Sequence, residues 1–454
     1  MLTLGCAKNT ADSRALQSQL EAQGFVFCAD FDDADFILLN TCAFIEAAVE
    51  ESLDAILDLA ELQRVKTGAA KLIVVGCLPS RYGAELASEL PEVTAFVTAA
   101  EEPKLAAILK TYLSDSLALP SPETVKAPPV ATQDLPWAYV KISDGCSRHC
   151  SYCTIPTIRG AYHSYSFSDI NTEIGELVTT GIKEIILIGQ DTGIWSAAGL
   201  GDDSLPSPHS LADLLDRLAA DYPQTWFRVM YLQPEGISKR LLEVMAAHEN
   251  IARYLDIPLQ HANARILAAM NRKGSGQDYL QMLGEIRASL PGVTLRTTVM
   301  VGFPGESQAE YLELRDFIEQ ARFDYVGIFA YSAEEGTVAA ALPDRVDTDV
   351  SLERLQDLRN VADSIGFEKV EAQIGMTLDV LICGEDEEAI YGRTKSQAPE
   401  VDGIAYIPTD GQPSLDSPNL QPGTIVNVCI TDTVLYDLFV EINTEEHVNG
   451  VSDL

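Results

Sequence analysis

The stretch Gly145-Cys146-Ser147-Arg148-His149-Cys150-Ser151-Tyr152-Cys153 decides the reading of this chain. Its cysteines are spaced C-x3-C-x2-C, and no fourth cysteine follows nearby. Thiolate sulfur is a soft ligand suited to zinc or to iron–sulfur clusters. A structural zinc site closes its shell with four ligands. Three ligands on one short loop suit an iron–sulfur cube whose last corner stays open to a substrate or cofactor. The competing reading is a zinc knot completed by His149 or by a distant residue. His149, however, lies inside the tight loop beside Cys150, badly placed to reach the same metal. A disulfide framework fits less well still. The chain is long, its nine cysteines are an odd count, and its start, Met1-Leu2-Thr3-Leu4-Gly5-Cys6, carries neither a basic region nor a long apolar stretch.

Outward from that loop, short apolar runs alternate with helical patterns. Val140-Lys141-Ile142 leads directly into the cysteines. Glu184-Ile185-Ile186-Leu187-Ile188 ends at Gly189-Gln190-Asp191, and Arg296-Thr297-Thr298-Val299-Met300-Val301 ends at Gly302-Phe303-Pro304-Gly305-Glu306. Phe323 to Phe329 is a further candidate strand. Repeated βα units over 137–366 predict a full or partial parallel barrel, with chemistry at the carboxyl rim. The first strand would deliver the cysteine loop to that rim. Gln260-His261 could face the pocket, although a satisfied core histidine explains it more simply.

Residues 1–112 read as a second α/β unit. Phe36-Ile37-Leu38-Leu39 and Lys71-Leu72-Ile73-Val74-Val75 are runs of the buried parallel type, with helices near 9–23, 45–63 and 80–90. Cys6, Cys42 and Cys77 each follow an apolar run, in Leu4-Gly5-Cys6, Leu39-Asn40-Thr41-Cys42 and Val75-Gly76-Cys77. All three therefore fall on one rim of one sheet, where ligands collect. That makes a second three-thiolate site, against the alternative of three separate buried thiols. Cys28, Cys383 and Cys429 lack this placement and read as buried thiols. Only four residues precede Gly5, so the first strand is expected to be a frayed edge or to begin upstream.

Residues 113–136 are rich in Pro, Ser and Thr and read as a linker or an extended connection. A helix over 351–370 leads into 367–442, where strands and Gly, Pro and Asp turns predict a small β-barrel or sandwich. The polar, acidic stretch 443–454 is expected to be a loose tail. No apolar run reaches membrane-span length, and a cytoplasmic, reducing setting suits free thiolates. The net charge is −37, with 68 acidic against 31 basic residues. Such a surface repels phosphate backbones and favours basic proteins, unless the acidity serves only solubility. Between 371 and 441 there are 13 acidic residues and only Arg393 and Lys395 against them. The run Glu385 to Glu388 reads as a solvated turn.

In this order the motifs resemble the methylthiotransferase family of radical S-adenosylmethionine (SAM) enzymes, over nearly the whole chain. Gly5-Cys6-Ala7-Lys8-Asn9, Asn40 through Glu46, Glu51-Ser52, Pro258-Leu259-Gln260-His261, Met270-Asn271-Arg272 and Tyr331 through Thr337 carry the likeness. So do Gly392-Arg393-Thr394 and Gln397 through Gly403. They are similar to the branch that modifies a ribosomal protein, and less so to the tRNA branches. The resemblance implies an N-terminal cysteine domain, a radical SAM core and a C-terminal TRAM domain. It implies two [4Fe–4S] clusters, one on Cys6, Cys42 and Cys77 and one on Cys146, Cys150 and Cys153. It implies SAM, cleaved to a 5′-deoxyadenosyl radical that takes hydrogen from an unactivated carbon. Gly189, Gln190, Asp191, Gly302 and Gly305 would approach SAM, though glycine serves ordinary turns equally well. The implied substrate is the β-carbon of an aspartate in ribosomal protein S-twelve, free or in the small subunit, with an outside electron donor. A tRNA adenosine methylthiotransferase and a zinc-stabilised scaffold for basic proteins remain the alternatives. One departure stands out. The family shows a Ser-Arg pair shortly after Arg159-Gly160, and here the pair is Ser164-Tyr165.

Overall fold

The computed structural model describes residues 1–113, 135–196, 209–386, 389–408 and 420–443. The expected linker falls almost wholly outside the described residues, as do nearly all of the expected tail and half of the acidic run at 385–388.

Strands β1 (Leu2–Thr3), β2 (Phe36–Thr41), β3 (Lys71–Gly76) and β4 (Ala95–Thr98) form a parallel sheet in that order. The inner strands are aliphatic on both faces, as a sheet covered on both sides requires. Ile37, Leu39, Leu72 and Val74 meet one core, while Leu38, Ile73 and Val75 meet the other. β1 is a two-residue edge strand paired only with β2. Helices Ala7–Ala22 and Glu46–Ala60 follow β1 and β2. The helix expected over 80–90 begins instead at Cys77 and is two helices, Cys77–Tyr82 and Ala84–Glu89. Gly83 separates them because its φ of 51° lies in the left-handed region, where helical bonding stops.

The central unit starts with β5 (Trp137–Lys141). A short antiparallel pair, β6 (Ser143–Asp144) with β7 (His163–Ser164), ties the base of the cysteine loop. β5, β8 (Glu184–Ile188) and β9 (Trp226–Val229) make one parallel sheet. β10 (Tyr254–Asp256), β11 (Thr294–Val301) and β12 (Tyr325–Ala330) make another. A parallel bridge between Phe227 and Ile251 and the bond from Leu232 N to Asp256 O join them. The result is a partial barrel of strands in chain order. Helix Ala7–Ala22 of the N-terminal unit lies along β5, the free edge, where the Arg14 guanidinium donates to Tyr139 O. Its Ala7 and Ala11 pack with Ile186, Ile188, Met230 and Tyr254 in the core inside the barrel. Small side chains are what allow a helix to sit that close.

After helix Thr348–Glu371, β13 (Thr377–Glu385), β14 (Ala389–Arg393), β15 (Ala405–Pro408), β16 (Ile425–Val434) and β17 (Asp437–Ile442) close a small barrel in the order β13-β14-β15-β17-β16. Its 393–402 segment plugs the amino end of the central barrel. Arg393 Nη2 donates to Glu184 Oε2 at 2.6 Å, and Arg228 Nε donates to Glu184 Oε1 at 2.8 Å. Tyr254 OH donates to Asp402 Oδ2 at 2.7 Å. Burial alone would raise the Glu184 carboxyl, but the two guanidiniums outweigh it and hold it below the usual range.

Removing one partner of a buried ion pair strands the other charge. Glu184→Leu, which strands the Arg228 and Arg393 guanidiniums, is therefore expected to destabilise the protein by about 3–5 kcal/mol, read as a lower thermal unfolding midpoint. Adding Arg393→Met should restore part of that loss.

Candidate functional site

The N-terminal sheet brings three cysteines together through register. Thr3 pairs with Asn40 and Thr41 with Gly76, so the residues that follow each strand leave at one rim. Cys42 and Cys77 are buried there and Cys6 is exposed. Two glycines make the approach possible. A Cβ on Gly5 (φ 95°) would stand 2.5 Å from Cys42 Cβ, and one on Gly76 (φ 94°) would stand 2.4 Å from Asn40 Oδ1. Asn9, fully buried, pins the rim. Its Nδ2 donates to Leu4 O at 2.8 Å and to Thr41 O at 2.9 Å. Its Oδ1 stands 4.0 Å from Cys6 Sγ and 3.8 Å from Cys77 Sγ. Burial pushes the Cys77 thiol up to about 12, against the pull of Arg159, and raises Cys42 as well.

The second triad sits on the 145–162 loop. Cys146 N donates to Gly160 O at 3.1 Å, and a Cβ on Gly145 would strike Ala161 O at 2.4 Å. Within the loop, Cys153 N donates to Cys150 O at 3.1 Å. Arg272 Nη1 stands 4.0 Å from Cys150 Sγ. Burial pushes Cys153 up to about 12. All six thiols are free. His149 is exposed and only its backbone carbonyl is engaged, by Asn271 Nδ2 at 2.7 Å. Among the described residues, no three Cys, His, Asp or Glu side chains close tightly enough to hold a single metal ion. The thiols of each triad nevertheless influence one another electrostatically. Three free thiols on one rim and three on one loop are the soft donor set that iron–sulfur clusters take.

Arg159 joins the two sites. It ends the short helix Ile155–Arg159 that follows the second triad, yet its Nη2 reaches Asn9 Oδ1 at 3.1 Å and Cys77 Sγ at 3.3 Å. Its Nη1 pairs with Asp12 at 2.7 Å. Lys141 pairs with both Asp12 and Asp144. Burial would raise the Asp144 carboxyl, but Lys141 and Arg159 bring it down to about 2. Tyr165 sets its ring 5.8 Å from Lys141 Nζ. A cavity of about 950 Å³ opens here, lined by Asp12, Glu102 and Arg159 and by none of the six cluster-site cysteines.

Beside the second triad, the β8 rim carries polar atoms without partners. Gln190 Nε2 donates to Asp144 Oδ1 at 2.9 Å, but Gln190 Oε1 is buried and unpaired. Asp191 Oδ2 accepts from Arg148 Nε at 2.5 Å, while its Oδ1 is unpaired, as is Ser143 Oγ. A Cβ on Gly189 would come within 2.4 Å of that Ser143 oxygen. The other two sequence-selected glycines have packing reasons. A Cβ on Gly302 would stand 2.2 Å from Ser351 Oγ, and Gly305 bonds Asp344 O and Arg265 through its backbone. His261 is a core residue whose Nδ1 accepts from Asn263 N at 2.9 Å. Cys383 is buried and Cys429 half-buried. Cys28 corrects the expectation for its type: it is exposed on the coil after the first helix, its thiol directed to Asp30 O at 3.4 Å. Asn9, Arg159 and Arg272 carry no signal in the sequence beyond their place in short motifs.

Three family models match the chain. They are the uncharacterized protein family UPF0004 over 1–98, the radical SAM superfamily over 140–318, and the TRAM domain over 374–442. The ribosomal protein uS12 methylthiotransferase RimO of Clostridioides difficile is 40% identical across 97% of each chain. That of Trichlorobacter lovleyi is 40% identical across 98% of each. That of Thermodesulfovibrio yellowstonii is 38% identical across 96% of this chain and 98% of its own. The chain belongs to the RimO family of radical SAM methylthiotransferases. As a RimO-family transferase it works with SAM and [4Fe–4S] clusters. No helix among the described residues is long and apolar enough to cross a membrane.

Asn9→Ala leaves the buried carbonyl of Thr41 and the half-buried carbonyl of Leu4 each without this donor. The expected cost is about 2–4 kcal/mol, seen as faster proteolysis of the N-terminal sheet and a lower unfolding midpoint.

Proposed function

We propose that each triad holds one [4Fe–4S] cluster and that the pair adds a methylthio group to the β-carbon of an aspartate in ribosomal protein uS12. The observation that carries this reading is Arg159, which reaches from the loop of Cys146, Cys150 and Cys153 to touch Cys77. Two thiolate sites built on separate units are thereby held against each other. Bound, the clusters and SAM supply a carbon radical able to take hydrogen from an unactivated carbon, together with the sulfur and the methyl group. The chain's own residues do the rest. Three thiols per site leave one corner of each cluster for exchangeable ligands. Gln190 Oε1, Asp191 Oδ1 and Ser143 Oγ offer acceptors to the amino group of SAM beside the second site. Arg159 and Arg272 place positive charge beside the sulfurs, which offsets part of the burial that raises the Cys77 and Cys153 thiols. An electron donor and a cytoplasmic, reducing setting belong to the same proposal.

A protein substrate, not tRNA, is favoured by where the basic residues point. The 371–441 segment has only Arg393 and Lys395 to meet a phosphate backbone. Arg393 is buried on Glu184, and Lys395 donates to Glu249 O over the Trp226 ring. Both turn inward to the central barrel. The outward charge of this small barrel is acidic and suits a basic ribosomal protein.

Cys42→Ala is expected to lower bound iron from about eight to about four atoms per chain and to abolish methylthiolation, with SAM cleavage retained. Full thiomethylation by that variant would defeat the two-cluster reading. Incubation with uS12 and with bulk tRNA, followed by mass spectrometry, should add about 46 Da to a uS12 peptide (one SCH3 replacing one H) and nothing to tRNA nucleosides. The uS12 interaction should weaken from low to high salt, as screening of exposed charge requires. Tighter binding to tRNA than to uS12 would reverse the substrate assignment.

A further inference from the structure

Lys8 lies two residues beyond Cys6, in the first turn of helix Ala7–Ala22. Its Nζ stands over the ring of Tyr231, 3.1 Å from the centroid. Tyr231 follows the carboxyl end of β9, so this contact spans the gap between the first cysteine rim and the carboxyl rim of the barrel. Among the described residues no carboxylate pairs with Lys8, in a chain that has 68 acidic residues for 31 basic ones. The other cations around the two sites have partners already: Arg159 has Asp12, Lys141 has Asp12 and Asp144, Arg148 has Asp191 and Glu235, and Arg272 has Gln233 and Pro258 O, with only its buried Nε unpaired among the described residues.

The ring beneath Lys8 is held in an unusual conformation. Tyr231 has φ 64°, a left-handed backbone rare for a bulky residue. Its N–H donates to Asp256 Oδ2 at 3.2 Å, and its carbonyl accepts from Thr192 Oγ1 at 3.3 Å. Backbone strain kept in place by neighbours is a mark of functional sites. Thr192 directly follows Gln190-Asp191, so the Tyr231 backbone is fixed beside the polar rim of β8.

We propose that Lys8 is the specificity-determining residue that grips the side-chain carboxylate of the acceptor, resting on Tyr231 until the substrate arrives. The inference rests on the reading of an aspartate as acceptor. A cation over an aromatic face is held less tightly than a charge-assisted pair with a carboxylate. An entering carboxylate therefore draws the ammonium off the ring without breaking any other ion pair. The carbon to be modified is bonded directly to that carboxylate carbon, so gripping one end fixes the reacting end. A neutral amide in the same place offers no such partner.

The test uses full-length protein with both clusters reconstituted and two peptides of uS12, one with the acceptor aspartate and one with asparagine there. Lys8→Met should raise the Kd for the aspartate peptide about tenfold or more, as loss of a hydrogen bond to a charged group implies. The asparagine peptide should bind wild type and Lys8→Met equally, and Lys8→Arg should restore most of the aspartate binding. Iron content should match wild type in both variants. An unchanged Kd for the aspartate peptide overturns the assignment, as does equal weakening of both peptides or loss of iron from Lys8→Met. A wild type that binds and modifies neither peptide defeats the aspartate reading itself, and this inference with it. A wild type that modifies the peptide beside an unaffected Lys8→Met defeats the inference alone.

Discussion

The contact of Arg159 with Cys77 holds this molecule's two sulfur sites in one place. Its guanidinium, 3% exposed, meets Asp12, Asn9 and the Cys77 sulfur at once. A single buried cation among that many acceptors would be costly if any were missing, because each partner would then be buried without a counter-charge. Lys141 and Asp144 complete the set, so the charges balance across the boundary between the N-terminal sheet and the barrel. The geometry of one cysteine site is thereby referred to the other through a single rigid fork, a task for which arginine is better suited than lysine.

The same boundary is sealed by shape. Helix Ala7–Ala22 has Ala7 and Ala11 against the barrel interior, while Leu16 and Leu20 face the N-terminal sheet. It serves as a wall for both units, and its first turn carries Lys8 and Asn9 into the gap between the cysteine sites. At the opposite end, the 393–402 segment of the small barrel fills the amino mouth of the central one through Glu184, Arg393, Tyr254 and Asp402. The three units thus share one buried interior, with its plug at one end and its chemistry at the other.

Much of this was legible in the chain. Apolar runs stopping at Gly5, Thr41 and Gly76 placed three cysteines on one rim, because a parallel sheet sends every strand's end the same way. The C-x3-C-x2-C loop after the first barrel strand was legible for the same reason. What the pattern hid are contacts between distant charged residues. Arg159 read only as the start of an Arg-Gly pair, Glu184 as the first residue of a strand and Arg393 as one of two basic residues in an acidic segment, since the partners of a charged residue are not visible in the sequence. Gly302, expected to approach SAM, also makes room for Ser351, a helix residue far along the chain that the local pattern does not reveal. Cys28 read as buried because its type usually is, yet in its coil Phe25 and Phe27 take the side that packs on the core, which leaves Cys28 outward. Gly83 broke a helix that periodicity alone had continued.

The central claim is that both triads bind an open-cornered cluster and that only one of them receives SAM. Electron paramagnetic resonance of the reduced, anaerobically reconstituted protein, with and without SAM, tests this directly. The account predicts two cluster signals, of which one shifts on adding SAM and the other does not, alongside about eight iron and eight sulfide per chain. A single signal, or stoichiometric zinc in place of iron, would contradict it.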